Sequence, residues 1–399
     1  MLANIFPNTF KEKLSPIFSN RWVLLTLWVL LALIATLKQV ATNSYNNYLI
    51  FKYAYLHAVD HLNLYSEYPS QYSDANHYGP FFSLFFAPFA VLPDIFGMLL
   101  WQLSNTILFF WALNKLPLSE NKKLIILWIC SHELLTSLFS FQINPGIAAV
   151  IILSFVLIEN RKDFWAAFFI MLGTFVKLYG IVGLAFFFFS KNKLKLTGSL
   201  VFWAALFFIL PTLVFGYDYI LQSYVDWYQS LAHKNELNGA LDSYQDISVM
   251  GMARRMFQDS SIPNLPFLAG GLFLFALPYL RINQYNNSNF QLMFLVSTLL
   301  FAVLFSSGSE SPTYIIAFAG VAIWFAIQKR PLNKLHVFLL VFAVILTSLS
   351  PSDLFPKYVR DHYVRHYALK ALPCFLIWIV TIYQMIRTDF SVKTLATND

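Results

Sequence analysis

Apolar runs close to the length of a membrane-crossing helix recur along this chain from Trp22 to Ile386. An α-helix needs about 20 such residues to cross the hydrocarbon of a bilayer. Inside lipid every backbone N–H and C=O must be satisfied within the protein, which a helix does along its own length. The chain is 12% charged and 58% hydrophobic, against about a quarter and under half for a water-soluble domain. Its 42 Phe, 21 Tyr and 10 Trp suit lipid-facing and headgroup-level positions. The expected fold is all-α: a polytopic transmembrane helical bundle of about 12 spans, with residues 1–399 forming one integral membrane domain.

Charge orients this bundle. Lys11, Lys13 and Arg21 precede the first span, and basic residues favour the cytoplasmic side. The resulting order is a first span at 22–40, an external loop at 41–79 and spans within 80–216. A second external loop follows at 217–266, then spans within 267–387 and a cytoplasmic tail at 388–399. Individual runs lie at Phe81–Leu92, Phe96–Leu113, Leu124–Phe141, Pro145–Ile158, Phe164–Phe189, Leu196–Phe215, Phe267–Leu280, Phe290–Phe305, Thr313–Ile327, Leu335–Leu349 and Ala371–Ile386. Both termini are then cytoplasmic. The run Trp22–Val40 is too long for a signal-peptide core and has no clean small-residue cleavage site, so it reads as an anchor that stays.

This order leaves Lys115, Lys122, Lys123, Arg161 and Lys162 outside, against the charge bias. An alternative joins Phe81 to Leu113 into one kinked span and folds Phe164–Phe189 into a hairpin with Lys177 at its tip. The net charge of +7 falls in short clusters between apolar runs, which points to membrane lipids as partners and not to nucleic acid. Cys130 and Cys374 sit inside apolar runs and imply no disulfide framework.

The polar chemistry is concentrated outside. The first loop holds His57, Asp60, His61, Glu67, Asp74 and His77, the densest titratable group in the chain. Their spacing matches no metal-ligand pattern, so no metal is expected. This loop, the second one and Ser350–Lys370 are polar and aromatic, a composition that forms short helices lying on a membrane surface. Within the apolar runs, each ionisable group costs ~2.5–3.5 kcal/mol on insertion scales and needs a reason. His132 and Glu133 interrupt the fourth run, Gln142 and Asn144 follow in FQINPG, and Lys177 lies in TFVKLYG. For His132 the expectation is a pairing within the bundle; for Lys177 it is a phosphate, which a cation in a polar cavity binds well. Glu310 stands in SSGSESPTYIIA, directly before a span that Pro312 can open.

The elements NNYLIFKYA, LNLYSEYP, DANHYGPFFSLFFAPFAVLP, FQINPG, FVKLYG, DISVMGM and SESPTYIIAFAG occur in this order between about Asn43 and Trp324. They resemble glycosyltransferase family 87, bacterial membrane enzymes of the GT-C fold related to polyprenol-phosphate-mannose-dependent α-mannosyltransferases. The resemblance implies a GT-C-like bundle that uses a polyprenyl-phosphate sugar as donor substrate, with no cofactor. A mannose-like hexose would pass to a lipid-linked or glycan acceptor at the external membrane face. Inverting transfer needs a carboxylate to take the proton of the acceptor hydroxyl, and cations or donors for the leaving phosphate.

The sequence departs from the family where the aspartate that begins the NNYLIF motif is replaced: Asn47 occupies that position, and an amide cannot accept the proton. Asp74 is the first substitute expected and Glu310 the second, with Asp60 and Asp246 behind them. Lys177, helped by Arg254 or Arg255, is expected to hold the donor phosphate, with His77, Tyr78, Gln142 and Asn144 lining the cavity. Two other readings compete. Many spans with intramembrane charges also mark a lipid or sugar transporter or flippase, although no sustained internal repeat is present. The missing aspartate fits a catalytically inactive relative.

Overall fold

The computed structural model describes residues 18–243 and 245–390; Lys11, Lys13 and residues 391–399 of the tail lie outside them. Every regular element among the described residues is helical. In chain order the longer ones are α1 Arg21–Ala41, α2 Asn46–Val59, α3 Pro80–Ala90, α4 Asp94–Asn114, α5 Glu120–Leu138, α6 Asn144–Glu159 and α7 Asp163–Lys177. A 3-10 helix, Tyr179–Phe189, comes next, then α8 Lys193–Phe215, α9 Tyr217–Asn238, α10 Val249–Phe257, α11 Asn264–Ala276, α12 Ser288–Leu304, α13 Tyr314–Ala326, α14 Lys334–Ala343 and α15 Ala371–Arg387. Three of them, α1, α4 and α8, are long and apolar enough to cross a membrane by length and composition, and shorter apolar helices of 10–17 residues accompany them. The chain is therefore an all-helical membrane protein. The pair α12 and α13 is buried almost all round, as helices without a polar face are.

The bundle has two ends. At one, Ser190 Oγ donates to Asp163 Oδ1 at 2.7 Å, Ser288 Oγ to Glu159 Oε1 at 2.8 Å, and Gln284 Nε2 to Asp389 Oδ1 at 2.9 Å. At the other, Asn47 Nδ2 donates to Ser140 O at 2.7 Å and Trp101 Nε1 to Phe141 O at 2.6 Å, beside Gln142, Lys177 and Glu310.

Two expectations are corrected here. Phe164–Phe189 is not one crossing: α7 and the 3-10 helix fold back on each other, with the reversal at Leu178, whose φ of 47° lies in the left-handed region. The close approach is possible because Gly173 and Gly180 meet backbone to backbone, where a Cβ on either would collide with the other. The ends Asp163 and Ser190 are bonded together, and Lys177 stands at the tip. This is the hairpin of the alternative order.

Phe81–Leu92, by contrast, is neither a separate crossing nor continuous with Phe96–Leu113. Helix α3 lies across the cavity end: the rings of Phe82, Phe86 and Phe89 all stand around Trp101 of α4, at 6.3, 4.9 and 5.0 Å. Its start, Gly79, abuts Phe175 O near the hairpin tip, and near its end Phe89 O accepts from Tyr48 of α2 at 3.1 Å. A single helix from Phe81 to Leu113 would carry Phe82 some 28 Å from Trp101, at 1.5 Å per residue. With α4 starting at the cavity end, Lys115, Lys122 and Lys123 fall at the opposite end. Arg161 and Lys162 join them there, as do Lys191, Lys193 and Lys195, and the conflict over charge disappears.

Candidate active site

A cavity of about 860 Å³ opens at the end where the hairpin tip, the first loop and the turn before α13 converge. Asn47 of α2, Asp74, His77 and Tyr78 of the first loop, Gln142, Lys177, Tyr179, Ser306 and Glu310 supply its polar wall. Helix α9 adds Trp227, Leu231, Lys234, Asn235 and Asn238. An apolar flank is made by Ile181 and Val182 of the hairpin, Leu265 and Leu268 of α11, Phe301 of α12 and Phe305 just past its end. Leu265 is 74% exposed, so this flank opens sideways between helices.

The polar wall is a connected network. Lys177 Nζ donates to Asn144 Oδ1 at 2.8 Å and to Gln142 Oε1 at 3.2 Å, while Asn144 Nδ2 donates to the same Gln142 oxygen at 2.9 Å. That fixes the Gln142 amide with its nitrogen turned the other way, where Nε2 donates to Glu310 Oε2 at 2.9 Å. Asn144 is fully buried under the cavity floor, at the first turn of α6. Lys177 thus touches neutral acceptors only, leaving one of its three donors for the cavity. The rings of Tyr78 and Tyr179 flank the ammonium at 5.5 and 5.6 Å, and Tyr179 Oη is within 2.9 Å of Ser306 Oγ. Glu310 caps the short turn before α13, with its backbone N–H bonded to Thr313 Oγ1 at 3.3 Å.

Asp74 also reaches the cavity, but as a paired group. Lys234 Nζ stands 3.3 Å from Oδ2 and His77 Nε2 3.7 Å from Oδ1, while Ala75 N donates to Oδ1 at 2.8 Å. Its φ of 72° is a left-handed conformation that Asp tolerates. The nearby His77 ring, the Ala75 amide and the Lys234 charge together hold its carboxyl well below the usual carboxylate range. His77 in turn bonds Ser230 Oγ at 2.9 Å, so the first loop is fastened to α9 at this point. Asn46 fastens it to α2 as well, through two bonds to the Ser73 backbone at 2.7 and 2.8 Å.

Arg254 and Arg255 are not brought to the cavity. Both are buried on α10, and Arg254 is ion-paired with Asp246, with further bonds to Ile262 O at 2.9 Å and Asn264 Oδ1 at 2.8 Å. Arg255 Nη1 donates to Arg365 O at 3.4 Å. Asp246 is consumed in the same pair, and Asp60 is an exposed residue closing α2. The other first-loop histidines have local partners: His57 with Gln71 Oε1 and His61 with Phe215 O, each at 2.7 Å. His132 bonds Ser348 Oγ at 3.0 Å.

The sequence reading passed over the α9 wall. Trp227, Leu231, Lys234 and Asn238 recur at steps of four, three and four residues, which is one face of a helix, so their alignment was readable in principle. Which cavity that face would close was not. Tyr179 and Ser306 stand in the segments FVKLYG and SSGSESPTYIIA, but nothing in either segment shows that the two side chains meet.

Residues 76–307, more than half of the chain, match the family model of glycosyltransferase family 87. No curated protein matches the chain.

Proposed function

The chain belongs to glycosyltransferase family 87, and on that premise we propose that it moves a mannose-like hexose from a polyprenyl-phosphate sugar to a lipid-linked or cell-envelope glycan acceptor. In this reading it spans the bacterial cytoplasmic membrane about twelve times, both termini are cytoplasmic, and the cavity faces outward. The cluster of Lys115, Lys122, Lys123, Arg161, Lys162, Lys191, Lys193 and Lys195 at the end opposite the cavity supports that orientation. The two legs of the hairpin count as the fifth and sixth crossings, and α3 lies at the external interface.

The observation that carries the reading is the shared cavity of Glu310 and Lys177, bridged by Gln142 and flanked by an open apolar wall. Glu310 takes the proton of the acceptor hydroxyl. The acceptor oxygen then bonds the anomeric carbon as the bond from that carbon to the phosphate oxygen breaks. The departing polyprenyl phosphate gains negative charge, which the free donor of Lys177 stabilises. The isoprenoid tail lies along Ile181, Leu265, Leu268 and Phe305, where leaving water is favourable. Asp74 is set aside as the base, because a carboxyl held so acidic by His77, the Ala75 amide and Lys234 has little affinity for a proton. Asp74 instead closes the cavity rim.

The test is purified protein given radiolabelled polyprenyl-phosphate mannose, glucose or arabinose with a lipid extract as acceptor source. Transfer of label supports the enzyme. Uptake into sealed vesicles without transfer would mark a transporter or flippase, and neither result an inactive relative.

A further inference from the structure

Two charged side chains are buried together just behind the turn that carries Glu310. Glu133 of α5 is wholly buried and Lys370, at the start of α15, nearly so. Lys370 Nζ donates to Glu133 Oε1 at 2.8 Å, and to Ser311 O and Ser311 Oγ at 3.0 Å each. These three bonds use all three ammonium donors. Ser311 is the residue after Glu310. On the other side, Ile247 N donates to Ser309 O at 2.7 Å, and Ser309 Oγ to Val303 O at 2.6 Å. Glu310 is thereby held between two clamped neighbours.

We propose that Lys370, itself held by Glu133, is a positioning residue that aims the Glu310 carboxylate into the cavity. The proposal rests on Glu310 being the base. A buried ion pair is seldom retained for stability, since desolvating both charges offsets their attraction and apolar pairs of similar volume often serve as well. Here the pair does what an apolar pair would not: Lys370, braced by Glu133 of α5, fastens both the backbone and the hydroxyl of one residue. Loss of the clamp leaves Glu310 chemically intact but held only through Gln142 and Thr313, and a displacement near 1 Å at a reacting group costs about a hundredfold in rate.

The test uses the full-length protein in lipid nanodiscs, with transfer from a polyprenyl-phosphate sugar as readout. Glu133→Gln/Lys370→Met removes both charges together, so that neither is left buried alone. Ser311→Ala removes one clamp contact and leaves the ion pair. The expected result is a kcat lower by about tenfold or more in the double variant and about threefold in Ser311→Ala. Donor KM stays within about twofold in both, with melting temperatures near wild type, a split that a general loss of structure would not give. Wild-type kcat in the folded double variant overturns the proposal, as does wild-type kcat in Ser311→Ala if the double variant does not fold. Glu310→Gln is the control: activity retained there overturns the base assignment, whereas activity lost there with both clamp variants unaffected overturns only the clamp.

Discussion

Glu310 and Lys177 face one cavity without forming an ion pair, because the Gln142 amide stands between them, donating to Glu310 Oε2 at 2.9 Å and accepting from Lys177 Nζ at 3.2 Å. A direct salt bridge would spend both charges on each other. The spacer keeps the carboxylate available for a proton and the ammonium available for a phosphate. The same amide orientation is enforced by Asn144 below, so the arrangement exists before any substrate arrives.

Glu310→Gln retains the size of the side chain and removes its basicity. Transfer should fall by about a hundred- to ten-thousand-fold in kcat, the usual contribution of a general base. Asp74→Asn should cost less than about tenfold, because that carboxylate is already committed to Lys234 and His77. Single-turnover rates on the two variants check the assignment, and the reverse ranking would make Asp74 the base.

Lys177→Met should lower kcat by about a hundred- to a thousand-fold, as removal of a charge-stabilising donor does. Lys177→Arg should not restore full activity, since the forked guanidinium cannot reproduce a point charge seated between Asn144, Gln142 and two tyrosine rings. Steady-state kinetics with one donor decide this, and full activity in the arginine variant would sink the role.

The Asp74 clasp has a defined pH dependence. Its carboxyl is more acidic in the folded protein than in the unfolded chain, where it titrates near 3.9. The stabilisation it contributes is therefore present above about pH 4 and lost as pH falls through the depressed folded value. With its side chain 52% exposed, the contribution stays below about 1 kcal/mol. The melting-temperature difference between wild type and Asp74→Asn should still be present at about pH 5 and shrink below about pH 4. A difference that disappears near neutrality would contradict it.

Gly180→Val places a branched side chain where the Gly173 backbone passes. Overpacking of this kind costs about 1–3 kcal/mol, and relief requires the hairpin legs to part, which moves Lys177 at the tip. Lower thermal stability together with a raised donor KM is expected. A stable variant with unaltered kinetics would show that the tip is positioned independently of the legs.

Most helices and the cavity lysine Lys177 were legible in the sequence, since apolar runs bounded by polar residues have few folded alternatives and an intramembrane lysine must have a purpose, whereas Glu310 stood there second to Asp74. Lys177, Gln142, Asn144 and Glu310, widely separated in the chain, do meet. The failures have common physics. Whether an apolar run crosses, lies flat or doubles back depends on what packs against it, as Trp101 does for α3 and Gly173 for the hairpin, and composition holds no record of that. Arg254 and Arg255 looked like cavity cations because nothing in DISVMGMARRMF shows that Asp246, eight residues earlier, turns back onto Arg254.

Asn47 offers a way to ask whether the base has moved within one cavity. It lines the same space as Glu310 while its amide donates to Ser140 O at 2.7 Å. Asn47→Asp on its own removes that donor and sets two acceptors face to face, a cost of about 1–3 kcal/mol, and with Glu310 present it should lower activity modestly. In a Glu310→Gln background the same substitution puts a carboxylate at the position where the resemblance implies an aspartate, and part of the lost rate should return. Recovery in the double variant but not in Glu310→Gln would mean that one proton acceptor suffices and either wall of the cavity can supply it. If no activity returns although the double variant folds and binds donor, the acceptor hydroxyl lies on the Glu310 side alone, and Asn47 serves only to fasten α2 to the end of α5.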